Sequence, residues 1–270
     1  MKQTPFCRAD FNYIDKTTTR AISMDVFDGR KAENPDWQTC GFELMKHEST
    51  VTNWQNDNQI KSVHYAEIRE FAKRLTGCDF AVVGGHIKRN PEQAQIHQDL
   101  APITLVHSDF AESYGKLVSD YHQTDAEALA GIGKTGVSSA DVAKAKRLVI
   151  IQFWRNVGPA RMDWPIAFCD ARSVHKHELV SFEVNDYAGG GFNFETLGVR
   201  APVDEHHKWF VFPDLQQEEV VVFRTFDSDR ILKAEGAPFW TPHSAFRDPT
   251  IEPGKPSRSS IELRASCYFM

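Results

Sequence analysis

No stretch of this sequence approaches the roughly 18 consecutive apolar residues that a membrane-spanning helix requires, so no such span is expected. The amino terminus, MKQTPFCRADFNY, is polar where an export signal would place its apolar core, and a cytoplasmic protein is the expectation. Five cysteines (Cys7, Cys40, Cys78, Cys169 and Cys267) are scattered without CxxC spacing. An odd number at such spacing argues against a disulfide framework and against a cysteine-based zinc site. Runs of lysine or arginine are missing and the formal net charge is -6, so nothing offers an electrostatic footprint for nucleic acid or an anionic membrane. Repeats and low-complexity segments do not stand out either. What remains is a chain that meets a small molecule, with its oligomeric state left open.

What is present is the balance of an ordinary globular enzyme: 270 residues, 41% apolar and 25% charged. That length can bury a full core, and one domain spanning 1–270 is the expected organisation. In YAEIREFAKRL (65–75), Ile68, Phe71, Ala72 and Leu75 recur at helical spacing, and Thr76-Gly77 supplies a stop. CDFAVVGG (78–85) reads as a buried strand. Further helices are expected at 111–122 and 140–147. From Leu148 onward the pattern changes to short β-branched or aromatic runs (LVIIQFW, PIAFC, ELVSFEV, KWFVF, EEVVVFRTF and RSSIELRASCYF) separated by turn residues. The expected fold is mainly β, a sandwich or barrel braced on one face by helices. Gly189-Gly190-Gly191 reads as a turn or a mobile loop.

LVHSDF places His107 and Asp109 two residues apart at the end of a strand-like run, so both side chains leave one face of an extended backbone. A third candidate ligand is His243 in TPHSAFRDP, after the strong strand EEVVVFRTF. Two histidines and one carboxylate can occupy one face of an octahedron and leave three positions for a bidentate co-substrate and dioxygen, as in non-haem iron oxygenases. His-x-Asp spacing by itself is weak, because eleven histidines make it easy by accident. The segment RSSIELRASCYF strengthens it. Alternation puts Arg258, Ser260, Glu262 and Arg264 on one face, and an Arg-x-Ser pair can clamp a distal carboxylate through a forked ion pair and a hydroxyl, which 2-oxoglutarate requires. Arg264 is the rival of Arg258 for that role, although Glu262 between them can pair with it.

The stretches FWRNVGPARMDWPIAFCDARSV (153–174), HKWFVFPDLQQEEVVVFRTFDS (207–228), PHSAFRDP and RSSIELR, with Gly41-Phe42 and the helix at Tyr65, resemble the fungal and bacterial group named for gibberellin desaturase, AsaB and the cephamycin protein CmcJ. The resemblance runs from about residue 40 onward. It implies a double-stranded β-helix (jelly-roll, cupin-like) core and a hydroxylase or desaturase of specialised metabolism that uses Fe(II), 2-oxoglutarate and dioxygen. It also implies metal at His107, Asp109 and His243, and co-substrate carboxylate at Arg258 with Ser260. Trp154 and Arg155 match the Asn-Val-Trp-Arg-Pro run of that group, whereas Gln152 and Asn156 depart from it. Some relatives are described as methyltransferase components, but no Gly-rich nucleotide turn follows a strand here.

Arg155, charged within an apolar run, is expected to be paired internally or to face a cavity, and with Trp154 it is a candidate substrate contact. His206-His207 and His175-x-His177 imitate metal spacing in polar, loop-like surroundings and read as solvated surface. Cys169 follows the run PIAF and reads as inert packing. Two other classes of function remain: a zinc hydrolase using the same His-Asp-His set, and a non-catalytic, metal-binding cupin-like protein. The Arg-x-Ser strand distinguishes the first, since a hydrolase does not need it.

Overall fold

The helix expected at Tyr65 forms in the computed structural model, which describes residues 4–33, 35–133, 136–232, 237–252 and 256–270. It spans Tyr65–Thr76 and ends where Gly77 turns left-handed (φ 72°) and donates its N–H to the Lys73 carbonyl at 2.9 Å. Ile68, Phe71 and Ala72 make its buried face. The other expected helices form as Tyr114–Thr124 and Ser139–Lys144. The first begins later than its periodicity suggests because Ala111 is already committed, its N–H donating to the Glu195 carbonyl at 3.0 Å. The second starts at a reciprocal Ser138–Asp141 capping box.

In chain order the strands are β1 (Cys7–Asp15), β2 (Thr18–Asp28), β3 (Phe42–Lys46), β4 (Phe80–Arg89), β5 (His107–Ser108), β6 (Arg147–Asn156), β7 (Ile166–Cys169), β8 (Leu179–Val184), β9 (Phe194–Val199), β10 (Trp209–Val211), β11 (Glu219–Asp227), β12 (His243–Ala245) and β13 (Ser260–Phe269). Eight form one sheet in the order β1-β2-β10-β7-β12-β5-β9-β8, and five form a second in the order β3-β11-β6-β13-β4. The sheets face each other: Phe168 of β7 packs on Phe223 of β11 at 5.0 Å and on Phe42 of β3 at 5.4 Å between ring centroids. This is the expected jelly-roll core. The outer face of the five-stranded sheet, with Val149, Ile151, Phe153, Ile261, Leu263 and Ala265, receives the helix Tyr65–Thr76. Full burial of a side chain such as Phe71 is worth about 1.5–3 kcal/mol.

The β1–β2 hairpin is the element that sequence reading passed over. Cys7, Ala9, Phe11 and Tyr13 alternate with polar residues, and these four cover the back of the eight-stranded sheet, where Phe11 stacks on Trp209 at 4.1 Å. That sheet curls far enough for β1 to bridge residues next to its distant strands, Asn12 to Leu105 and Ile14 to Arg200. Successive side chains of β7 therefore enter different cores: Ala167 and Cys169 lie under the hairpin and Phe168 lies between the sheets.

Before β12 the chain is fixed by side chains. The buried Arg224 guanidinium donates to the carbonyls of Trp37 (2.6 Å), Gln38 (3.2 Å) and Pro238 (2.8 Å). Gly41, at φ +100°, lies so close to Thr241 that a Cβ would come within 2.3 Å of Thr241 Oγ1. Gly41→Ala should thus cost about 1–3 kcal/mol through strain and overlap, whereas Gly84→Ala, where an added Cβ meets nothing within 4 Å, should stay within about 0.5 kcal/mol. Urea denaturation of the two variants checks this, and equal losses would contradict the packing described.

Candidate metal centre

β5 and β12 are short, and each is held between neighbours. His107 pairs across to His243 on one side and to Gly198 of β9 on the other, while His243 also pairs with Phe168 of β7. Both imidazoles lie on the face turned toward the second sheet, 4.4 Å apart between centroids. His107 Nδ1 sits 2.8 Å from the Leu105 carbonyl, and His243 Nδ1 sits 3.0 Å from the Thr241 carbonyl. A carbonyl only accepts, so each ring places its proton on Nδ1 and leaves Nε2 open to a proton or a metal ion. Asp109 Oδ1 faces both open nitrogens, at 3.3 Å from His107 Nε2 and 3.4 Å from His243 Nε2. Burial pushes the Asp109 carboxyl up. The adjacent His243 and His107 rings and the Arg264 guanidinium overcome this and hold it well below the usual carboxylate range. The three side chains could converge on one ion, and outer hydrogen bonds of this kind orient ligand imidazoles.

The opposing wall comes from β13, β6 and β11. Arg264 Nη2 lies 3.8 Å from Asp109 Oδ2 and 3.6 Å from Glu262 Oε1, with the guanidinium over the Phe110 ring. Glu262 in turn lies 3.5 Å from Arg89, which donates to the Tyr187 hydroxyl at 2.9 Å. Arg264 therefore pairs with Glu262 as expected and reaches Asp109 as well.

Arg258 is in a different situation. Its Nε donates to Ser260 Oγ at 3.0 Å, its Nη1 lies 3.5 Å from the Trp164 carbonyl, and its guanidinium lies over the Trp154 ring at 5.1 Å. Among the described residues no carboxylate forms an ion pair with it. Burial and the nearby Arg89 charge lower its pKa to about 9. A buried cation without an anion is costly, and a bound carboxylate would relieve that cost.

Two further polar groups face this interior. Gln152 of β6 pairs with Phe223 and Arg264, is fully buried, and has no hydrogen-bond partner on either amide atom. Phe223 touches the His243 ring at 5.0 Å, so Gln152 stands beside the metal centre. Sequence reading recorded it only as a departure from a motif; the available signal was a polar residue in the apolar run, in phase with Trp154. Trp154 Nε1 is likewise buried and unpartnered.

Of the two places expected for Arg155, the structure takes internal pairing and not the cavity. One residue from Trp154, it points to the opposite face, where it donates to the His47 carbonyl (2.9 Å), to His47 Nδ1 (2.6 Å) and to the Gln217 carbonyl. It fastens the segment at His47 and does not line the interior. The expectation of a solvated His206-His207 pair is corrected: His207 is buried, and both rings face the buried carboxylate of Glu178. Cys169 is buried and its thiol is pushed up by burial, in keeping with packing.

The fold and site can be set beside known proteins. The chain is 27% identical over 276 residues to the hydroxylase/desaturase CTB9 of Cercospora beticola, covering 94% of this chain and 78% of that protein. It is 25% identical over 244 residues to the alpha-ketoglutarate-dependent dioxygenase phiK of a fungal species, covering 85% and 78%. The solved structure of the iron and alpha-ketoglutarate-dependent endoperoxidase NvfI superposes with a TM-score of 0.72 at 16% identity over 97% of this chain and 98% of that one, a likeness of fold. No helix among the described residues is long and apolar enough to cross a membrane. The resemblance to the AsaB-like hydroxylases and desaturases is thereby borne out, and by a match over residues 6–268 the chain belongs to the family described as the Oxidoreductase/YMDC permease-like domain.

Proposed function

We propose that this oxidoreductase is an Fe(II)- and 2-oxoglutarate-dependent dioxygenase that hydroxylates, desaturates or oxidatively cyclises a small molecule of specialised metabolism. In this reading His107, Asp109 and His243 hold iron, and Arg258 with Ser260 holds the distal carboxylate of 2-oxoglutarate. The observation that carries it is the pairing of two features in one interior: a two-histidine, one-carboxylate set with its outer nitrogens tied back, and a buried Arg258 whose guanidinium, among the described residues, forms no ion pair. The names of the relatives CTB9, phiK and NvfI support the same class. Neither a zinc hydrolase nor a non-catalytic metal-binding protein would have a use for the second feature.

Iron bound there would supply dioxygen activation coupled to conversion of 2-oxoglutarate to succinate and carbon dioxide. The chain's own groups do the rest. Leu105 and Thr241 carbonyls hold the imidazoles, and the His243 and His107 rings together with Arg264 hold Asp109 in its ionised form. Trp154, first read as a substrate contact, is the ring beneath Arg258 and belongs to the co-substrate side. Gln152 offers one donor pair and one acceptor to a ligand at the metal. The phenylalanine-rich wall around His243 keeps the site dry. We take residues 1–270 as one catalytic domain, and the five buried, unbonded cysteines favour a reducing, cytoplasmic setting.

Two measurements test this. The protein prepared without oxygen should bind one iron(II) in the proposed site, develop a visible charge-transfer band with 2-oxoglutarate, and release succinate when oxygen is admitted. His107→Ala, Asp109→Ala and His243→Ala should each abolish the band with the fold retained. A protein that stays colourless and holds only zinc would shift the assignment to a hydrolase.

The arginines separate by what they lose. Arg258→Ala should weaken 2-oxoglutarate binding ~30-fold to a few-thousand-fold, the equivalent of ~2–5 kcal/mol for removing one partner of a buried ion pair, with iron affinity nearly unchanged. Arg264→Ala should instead weaken iron ~10–100-fold, as loss of an outer-shell partner does, and change 2-oxoglutarate affinity by less than about tenfold. If titrations give the reverse order, the co-substrate anchor is Arg264.

A further inference from the structure

On the other face of the eight-stranded sheet, away from His107 and His243, a second group of ligand-type side chains converges. Glu178 closes a short turn before β8, and His206 and His207 lie just before β10. Glu178 Oε1 is 3.1 Å from His206 Nε2, and Glu178 Oε2 is 3.1 Å from His207 Nε2. All three side chains place a ligand atom within 4.8 Å of the others. With zinc–nitrogen and zinc–oxygen bonds of about 2.0–2.2 Å, ligand atoms of a tetrahedral site stand about 3.3 Å apart, close to these separations.

His206 makes the group more than a buried carboxylate with two imidazole neighbours. Its Nε2 is shut off from solvent and, among the described residues, meets only Glu178 Oε1, in a contact that lacks hydrogen-bond alignment. Its Nδ1 is engaged by the Asp204 carboxylate. That is the carboxylate–histidine arrangement that fixes a ring with one lone pair aimed at a metal. His207 has a matching outer partner: its Nδ1 meets the Tyr13 hydroxyl at 3.1 Å, and Tyr13 is itself held by the Trp209 indole N–H at 2.8 Å. The side chains of His207 and Glu178 are 0% and 6% exposed and that of His206 is 28% exposed, so the group opens to solvent on one side only. His175, whose ring centroid is 5.1 Å from that of His206, borders that side.

We propose that Glu178, His206 and His207 form a second, structural site for a zinc-type divalent ion, with the fourth position taken by water or His175. Imidazole and carboxylate donors suit such an ion. A zinc ion would replace the Nε2 proton of His207, whose Nδ1–H would then donate to Tyr13. It would tie the turn before β8 to the strand entry of β10 beneath β1, the region where the curled sheet meets its own edge strand.

The test is zinc stoichiometry of the chelator-stripped full chain, read by equilibrium dialysis and elemental analysis. His206→Ala and the isosteric Glu178→Gln should each bind one zinc equivalent fewer than the parent, while His107→Ala keeps that equivalent. Asp204→Ala should retain the site with affinity lowered ~10–100-fold. Zinc should raise the melting temperature of His107→Ala but leave that of the doubly substituted His107→Ala/His206→Ala unmoved. Circular dichroism confirms that each variant folds, and His206→Ala and Glu178→Gln offer two independent routes should one fail. Equal zinc content in the parent, His206→Ala and Glu178→Gln would overturn the proposal and leave His206 as an imidazolium clamped between Asp204 and Glu178.

Discussion

The antiparallel pairing of β5 with β12 is the constraint from which the site follows. It rests on one residue pair, His107 opposite His243, and a slip of one residue would send both imidazoles to the wrong face. The register is enforced from outside the pair. β9 holds β5 and β7 holds β12. Ser108 Oγ accepts the Thr241 N–H at 3.1 Å, and Thr241 Oγ1 donates to the Gly41 carbonyl, which also receives the Arg224 N–H. Hydrogen bonds thus run from the Arg224 backbone N–H of the facing sheet through the Gly41 carbonyl to Thr241, whose own carbonyl orients His243.

Charge in the interior is arranged in series. Asp109, Arg264, Glu262 and Arg89 alternate in sign, each within 3.8 Å of the next. Such a ladder satisfies its members mutually, which buried ions need. Arg258, two residues before β13 begins, is outside the ladder, supported by Ser260 and the Trp154 ring. The asymmetry between the two arginines follows from their neighbours: Arg264 lies 3.8 Å from Asp109, whereas Arg258 lies past Glu262, where Asp163 accepts its backbone N–H at 3.0 Å and, among the described residues, no carboxylate forms an ion pair with its guanidinium.

Much of this was legible in the residues. The helix at Tyr65, the sheet-rich second half, the His-x-Asp and distal His, and the separation of Arg258 from Arg264 by Glu262 all appear as pattern. Orientation within a doubly buried strand did not. Along Leu148–Asn156 every residue is buried, so periodicity cannot say which parity faces the metal, and Arg155 was left between internal pairing and a cavity. His206-His207 failed for a different reason. Its sequence neighbours Asp204, Glu205 and Lys208 are polar, and the residues that bury it, Glu178 and Tyr13, arrive from distant segments. The β1–β2 hairpin had clear alternation, but its place on the back of the sheet depends on β2 running parallel to β10, a contact that local pattern does not encode.

The curl of the eight-stranded sheet explains how one short set of strands serves two interiors. A flat sheet with a helix layer on its back would need only packing there. Here the back is closed by the sheet's own edge, so β7 and β10 send alternate side chains into two different cores: Phe168 toward His243, Cys169 and Trp209 toward Phe11 and Tyr13. Because neighbouring residues of one strand serve both, displacement on the hairpin side is transmitted to the metal side through backbone that is shared. Rigidity at the back is thus a condition for geometry at the front. The polar cluster at Glu178, His206 and His207, set where the curl closes, stands at the point where stiffening the back would matter most.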